Sequence, residues 1–386
     1  MLTMFDFDSP ELREIRLSVR KIAQSECPKY RTEAHYNTVP LPLFRSLAEL
    51  GLAGLSVPEE FGGISAGALT SMVVMEELAA VDLGPAIFIS VHAMTCGLIN
   101  AYGTAEQKAR YLPKMAAGEM LGGFALTEPN AGSDAAALRT AARRLPSGDF
   151  SLSGEKCYIT SGGFAHVYVV FARTGDAPGG AGISAFIVES DTAGLTVSKP
   201  ERKMGCELSP IASLTFNNAN ISAAHLLGKL DGGYGVALSG LAGGRINIAA
   251  CANGLSRTAL ALAVAHLKDR EQFGQKMINF QGLQFMLADM RMKLEAAELL
   301  TYQAARTLEL TPKARENRVY PPMAKCFATD AAMSITTDAV QLLGGAGYIK
   351  EYEVERLMRD AKMLQIVEGA NQLQRVLIAR EMAAEA

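Results

Sequence analysis

Glu368 is the residue whose type and neighbours best suit it to move a proton. It follows Ile366 and Val367 and precedes Gly369 and Ala370, while Asn371 and Gln374 stand three apart like the two partners of a capping box. This spacing predicts a helix starting at Asn371 and leaves Glu368 in the turn before it, its carboxylate facing an apolar cavity. Withdrawing a carboxylate from water disfavours the charged form, and each unit of pKa gained is worth about 1.4 kcal/mol. A carboxylate raised this way can serve as a general base near neutral pH. A solitary glutamate is more often a solvated surface charge, so the assignment needs support from the rest of the chain.

Four separated segments hold more glycine and polar residues than packing requires: FALTEPNAGSD (124–134), CYITSGG (157–163), QLLGGAGY (341–348) and QIVEGANQLQR (365–375). GGRINIA (243–249) and KDREQFG (268–274) join them. In this order and spacing, over nearly the whole chain, they resemble the acyl-CoA dehydrogenase family. The resemblance implies that Glu368 takes the α-proton of an acyl-CoA while a hydride leaves the β-carbon for N5 of FAD. The backbone N–H of Glu368 and a ribose hydroxyl of FAD would polarise the thioester, an oxyanion-type stabilisation of a few kcal/mol per donor.

Further site residues follow from the same resemblance. Phe124, Ala125, Leu126 and Thr127 would lie along the flavin, with Thr127 donating to it, and Ser133 would touch both cofactor and CoA. Tyr158, Ile159 and Thr160 would cover the other edge, with Thr160 near N5. Arg270, Phe273 and Gln281 match residues lent to FAD bound mainly to a neighbouring subunit. Gln341, Leu342, Leu343, Gly344 and Gly345 would approach its phosphates or adenosine part, and Ala370, Asn371 and Gln372 would complete the cofactor contacts. Ala242, Gly243, Gly244 and Arg245 align with the CoA-contacting stretch, and Gly369 adjoins the base. A cofactor shared between subunits implies a homotetramer, with electron-transferring flavoprotein as the acceptor.

Three positions depart from the family pattern. Tyr158 stands where many members carry Trp, and Ala242 where many carry Asp or Asn. Asn130 replaces the Gly usual in TEPGAGSD, where asparagine tolerates a positive φ.

Some relatives place the base one residue before the arginine, but Gly244 cannot serve. Pro85–Ile89 offers no cation for a second carboxylate, so a dicarboxyl substrate is disfavoured. GGRINIA, ISVHAM and FATDAAM look closest to the short and branched-chain, isobutyryl-CoA-like members, with Phe88, Ile89 and Met94 supplying pocket bulk. The chain ends soon after its last helix, without the extension of very-long-chain members. An acyl-CoA oxidase or flavin monooxygenase of the same fold, or a non-catalytic CoA-binding scaffold, are the alternatives.

Positioning these residues requires a folded chain, and the composition allows one. Of 386 residues, 49% are apolar and 20% charged, which excludes a disordered chain. The net charge of −3 comes with no basic block, so neither nucleic acid nor an anionic membrane is an expected partner. Six cysteines without CxxC spacing and five histidines without i, i+4 pairing argue against zinc or any other metal site, and against a disulfide framework. The N-terminal MLTMFDFDSPELREIR has no apolar core and is not a secretory signal, so a cytoplasmic or mature matrix location is expected. Leu83–Ile99, the one membrane-like stretch, reads as a buried helix.

The pattern is mainly α with a central β domain. Residues 1–121 form a helical domain whose first helix starts at Ser9-Pro10. Residues 122–226 form a small, largely antiparallel β-barrel or sandwich that holds the flavin. Its strands include Val167–Phe171, Ile183–Val188 and Ser213–Phe216, the last followed by Asn217-Asn218. Residues 227–386 form a four-helix bundle carrying the base and the oligomer interface. One helix shows Leu283, Met286, Leu287, Met290, Leu294 and Ala297 on one face and Arg291, Glu295 and Glu298 on another. Thr311-Pro312 ends it, and Pro321-Pro322 precedes a helix that runs to Gly344-Gly345.

Overall fold

The computed structural model describes residues 9–384. The N-terminal stretch read as lacking a secretory signal falls partly on residues 1–8, outside the described residues. Helix α1 (Pro10–Glu26) starts where expected: Ser9 Oγ accepts the Leu12 N–H at 3.3 Å and Pro10 occupies the first turn. After α2 (Leu41–Glu49) and α3 (Ala68–Val81), α4 (Leu83–Tyr102) is capped by Asp82, whose carboxylate accepts the Gly84 N–H. A reciprocal capping box opens α5 (Ala105–Ala116), between Thr104 and Gln107.

Helix α4 is apolar all round because its surroundings are protein. Two helices, α4 and α6 (Gly233–Asp269), are long and apolar enough to cross a membrane by length and composition, yet 78% and 67% of their most apolar stretches are buried. That burial accounts for the composition.

The β region is a single sheet in the order β6-β7-β3-β2-β4-β5-β8, with β1 added parallel to β4. In chain order the strands are β1 (Gly122–Ala125), β2 (Ala141–Arg144), β3 (Phe150–Thr160), β4 (Val167–Arg173), β5 (Ile183–Glu189), β6 (Leu195–Val197), β7 (Ile211–Ile221) and β8 (Leu226–Leu227). Most pairings are antiparallel, as expected, but among the described residues the sheet does not close into a barrel. Its end strands, β6 and β8, are only three and two residues long and pair on one side each. Val167–Ala172 and Ile183–Val188 are buried throughout, which explains their unbroken apolar runs. Asn217-Asn218 do not end β7. They fall in a register break between the pairs Leu152–Ala219 and Gly154–Phe216, with Asn218 at φ 50°.

The C-terminal region holds three long helices rather than four among the described residues: α6, α7 (Gln281–Leu310) and α8 (Tyr320–Leu343). Two shorter ones follow, α9 (Val354–Leu364) and α10 (Asn371–Ala383). Helix α6 packs against α7 and α8, and α3, α4 and α9 also meet it. On α7, Met290, Leu294 and Ala297 are buried as expected. Glu298, assigned to the outer face, is buried as well, because Arg257 of α6 meets it at 3.0 Å. Pro321 and Pro322 lie inside the first turn of α8, where no backbone donor is needed. A two-stranded hairpin, β9 (Glu271–Gln272) with β10 (Gln275–Lys276), links α6 to α7.

His92 joins the helical region to the sheet. Its Nδ1 accepts the Gly122 N–H at 2.9 Å, which leaves Nε2–H to donate to the carbonyls of Ala53 and Met115 at 3.1 and 3.2 Å. Burial pushes its pKa down to about 4, so the ring is neutral in the folded protein. The unfolded chain therefore takes up a proton below pH ~6.5 that the folded one refuses until about 4. Stability should fall over that window by on the order of 3 kcal/mol. Urea midpoints at pH 6.5 and 4.5 test this, since His92→Gln should show a flatter pH dependence than the parent. An identical slope in both would exclude His92 as the source.

Candidate functional site

The turn between α9 and α10 is built from two consecutive left-handed residues, Glu368 at φ 55° and Gly369 at φ 89°. Glycine adopts this conformation freely, whereas a glutamate there is strained and must be held by its surroundings. The holders are donors aimed at the turn's carbonyls. Gln374 Nε2 donates to Glu368 O at 3.1 Å and to Gly369 O at 2.8 Å, Lys325 Nζ to Gly369 O at 3.0 Å, and Arg245 Nε to Glu368 O at 3.4 Å.

The expected helix follows, but not the expected capping box. Ala370 is the N-cap and contributes no side-chain bond, while Asn371 is already helical. Its side chain turns to α8, accepting from Lys325 Nζ at 2.7 Å and bonding Thr329 Oγ1 at 2.8 Å and Asp330 Oδ1 at 2.7 Å. Neither residue read as a capping partner caps the helix: Asn371 is spent on α8 and Gln374 on the carbonyls of the preceding turn.

The Glu368 carboxylate points inward, with Oε2 buried and without a hydrogen-bond partner in the protein. Its wall is Gly244 of α6 with Met94 of α4: a Cβ placed on Gly244 would lie 2.6 Å from Oε2 and 2.8 Å from Met94 Cε. Ile366, one of the two apolar residues from which the cavity was inferred, is 59% exposed. Burial pushes the Glu368 pKa up to about 7, against the opposing pull of Arg245 and Lys325. Burial also lowers the Arg245 pKa, while the nearby carboxylate raises it. Phe88 and Ile89 have no exposed surface, and the Phe88 ring packs against Phe44. Of the three residues assigned to pocket bulk, Met94 is the one beside the Gly244 wall.

A second set of residues gathers on the sheet. Phe124 is half-buried with its ring 5.1 Å from that of Phe171, and Thr127 accepts the Cys157 N–H through its carbonyl at 2.9 Å, tying 124–127 to 157–160. Tyr158 stands 66% exposed at φ 57°, presenting a flat ring, and Thr160 is half-buried. Ala125, Leu126 and Ile159 are buried, so any ligand would meet their backbone rather than their side chains. Ser133 is exposed, and Asn130 is not among the positive-φ residues, so its turn needs no glycine.

Two features here escaped the sequence reading. Ser161 is fully buried at φ 60°, and its hydroxyl has no partner in the protein. Lys156 is fully buried too, donating to Glu128 Oε1 at 2.7 Å and Leu126 O at 3.1 Å. A lysine immediately before the 157–163 segment and a glutamate inside the 124–134 segment were the available signal.

Several of the remaining residues lie at exposed edges. Arg270 ends α6, Phe273 is 94% exposed at the hairpin tip with φ 51°, and Gln281 opens α7 on the surface. At the end of α8, Gln341, Gly344 and Gly345 are exposed while Leu342 and Leu343 are buried in the core. No atom lies within 4 Å of where a Cβ would project from either glycine. Ala370, Asn371 and Gln372 line a cleft of about 440 Å³ with Asp330 and Arg375. Ala242 and Gly243 are half-buried on α6, immediately before Gly244.

The site thus offers a buried unpartnered carboxylate, a flat aromatic face, an unsatisfied hydroxyl and open glycine backbone. These features fit a planar cofactor with a phosphate-bearing tail. Comparison with known proteins agrees. Residues 9–119, 123–219 and 231–383 match the family models described as acyl-CoA dehydrogenase N-terminal, middle and C-terminal domains. The chain is 41% identical to mitochondrial isobutyryl-CoA dehydrogenase of Dictyostelium discoideum, over 89% of this chain and 82% of that one. Butyryl-CoA dehydrogenase from Megasphaera elsdenii superposes with a TM-score of 0.93 at 38% identity, covering 98% of this chain and 100% of that one. A chain from a structural study of the electron transferring flavoprotein of Acidaminococcus fermentans also superposes with a TM-score of 0.93, at 41% identity over 98% of this chain and 99% of that one.

Proposed function

The chain belongs to the acyl-CoA dehydrogenase family, and from that membership we propose that it oxidises a short or branched-chain acyl-CoA to the trans-2-enoyl-CoA, passing the electrons to electron-transferring flavoprotein. It is an FAD-dependent oxidoreductase. The observation that carries the reading is the Glu368 carboxylate, buried without a partner and facing a glycine wall.

When bound, FAD supplies the two-electron acceptor that takes the substrate's hydride. Phe124–Thr127 and Tyr158–Thr160 hold it, helped by Ser133 and Ala370–Gln372. Arg270, Phe273, Gln281 and Gln341–Gly345 would complete the hold from a neighbouring subunit of a homotetramer, which accounts for the exposure of Arg270, Phe273, Gln281, Gln341, Gly344 and Gly345 in one chain. Glu368 removes the α-proton, and its burial supplies the basicity an exposed carboxylate lacks. The Glu368 N–H stabilises the negative charge that grows on the thioester oxygen. Ala242–Arg245 and Gly369 flank the acyl thioester.

Gly244 leaves the space the carboxylate occupies, and Met94 caps the same space. A bulky methionine beside the base suits a short acyl group, consistent with the isobutyryl and butyryl relatives. The buried apolar run at Pro85–Ile89 gives a second carboxylate no cation to pair with.

Anaerobic titration with a panel of acyl-CoAs, followed by bleaching of the flavin absorbance, tests this reading. Isobutyryl- or butyryl-CoA should bleach it fastest, and electron-transferring flavoprotein should reoxidise it faster than oxygen does. A yellow protein that no acyl-CoA bleaches would refute the proposal. Gly244→Ala should slow flavin reduction about 100-fold, because the new Cβ displaces the tips of Glu368 and Met94 from their reacting positions. Both displaced groups are flexible ends, so the melting temperature should barely change. Wild-type kinetics in this variant would show that the wall does not set the position of the base.

A further inference from the structure

We infer that Lys325 is a positioning residue for the Glu368 base: from α8 it pins the carbonyl side of the left-handed turn and keeps a positive charge behind the carboxylate. The inference rests on the reading of Glu368 as the base.

Three helices converge on two carbonyls. Arg245 comes from α6, Gln374 from α10 and Lys325 from α8, and together they engage Glu368 O and Gly369 O. Holding both oxygens fixes two successive peptide planes, and with them the direction in which the Glu368 side chain leaves the backbone. A glutamate at positive φ would otherwise relax toward ordinary conformations and carry the carboxylate away from Gly244.

Lys325 contributes more than a bond. Its side chain is fully buried, and its Nζ donates to a carbonyl and an amide oxygen, Gly369 O and Asn371 Oδ1. Burying an ammonium against neutral acceptors is costly, and an apolar residue of similar length would fill the same space more cheaply. The arrangement makes sense if the charge acts on its surroundings.

The charged groups facing Glu368 are Arg245 from α6 and Lys325 from α8. Around Lys325 stand Glu368, Asp330, the Cys326 thiol and Arg245. Burial lowers the Lys325 pKa to about 8, so it remains a cation at neutral pH. Without that cation, desolvation would carry Glu368 further up and leave it protonated where it must accept a proton. Asn371 steadies the ammonium by tying it to Thr329 and Asp330, which explains why this residue does not cap its own helix.

The test uses flavin-loaded Lys325→Met and Gln374→Met. One readout is the pH dependence of flavin reduction. The other needs no substrate: an infrared titration of the Glu368 carboxyl in the resting protein, isolated by subtracting the Glu368→Gln spectrum. In Lys325→Met the carboxyl midpoint should rise by roughly one unit or more. Its reduction rate at pH 7 should fall about tenfold or more while KM changes less than about threefold. Gln374→Met removes a neutral donor, so it should slow reduction without moving the midpoint. An unmoved midpoint in Lys325→Met overturns the inference. If that variant does not fold, Lys325→Gln, which keeps a donor but drops the charge, decides by the same midpoint. Failure of every acyl-CoA to bleach the wild-type flavin would sink the functional reading, and the infrared titration would still judge Lys325.

Discussion

Glu368→Gln should remain yellow, bind acyl-CoA and lose flavin reduction by about four orders of magnitude or more, a barrier increase of roughly 5 kcal/mol. Glutamine keeps the size of the side chain and cannot accept the proton. The site should tolerate it, since Oε2 already lacks a hydrogen-bond partner and a neutral amide removes the cost of burying a charge. Stability should therefore hold or rise slightly near neutral pH. In the parent protein the reduction rate should climb with pH through about 7, as the raised carboxyl ionises. The sign for stability is opposite. A carboxyl whose folded pKa exceeds its unfolded value makes the protein less stable as pH rises from ~4.5 to 7. Rapid-mixing absorbance at several pH values measures both rate effects. Substantial reduction in Glu368→Gln would move the base elsewhere.

Lys156→Ala should cost about 3–5 kcal/mol of stability and release much of the bound flavin. The substitution strands Glu128, whose carboxylate would keep two backbone donors, Arg139 N–H at 2.6 Å and Thr140 N–H at 2.9 Å, but lose its cation. Burial alone would raise the Glu128 pKa, yet Lys156 and its hydrogen bonds hold it below the usual range. Burial in turn lowers Lys156 to about 8, so the pair is held together at a cost to the lysine. The consequence for function follows from position. Lys156 also donates to Leu126 O, so it fastens the 124–128 segment to β3 at the face proposed to carry the cofactor. Urea unfolding with flavin absorbance followed in parallel tests the claim. A loss under about 1 kcal/mol with full flavin content would show the pair to be dispensable.

Features set by residues close together in the chain could be read from the sequence, and features set by distant residues could not. Helix α1 begins at Ser9-Pro10 and α7 ends before Pro312 because caps and prolines act within one turn. The three-part order, the apolar strands β4 and β5, and the placement of Glu368 in a turn ahead of a helix were legible for the same reason. The family resemblance worked likewise, since its motifs are contiguous strings.

What escaped was every feature that depends on which faces meet. Asn371 and Gln374 have the spacing of a capping box, but α8 and the turn that holds Glu368 compete for their side chains and win. Glu298 sits among surface charges in sequence and is buried because Arg257 approaches from α6. The wall beside Glu368 is Gly244, 124 positions earlier in the chain, rather than the adjacent Ile366. Local rules name the residues and the turns, because backbone sterics and short hydrogen bonds are felt within a few positions. Burial, and hence the raised pKa that makes a glutamate a base, is a property of packed neighbours, and it exists only once α4, α6, α8 and α10 have come together.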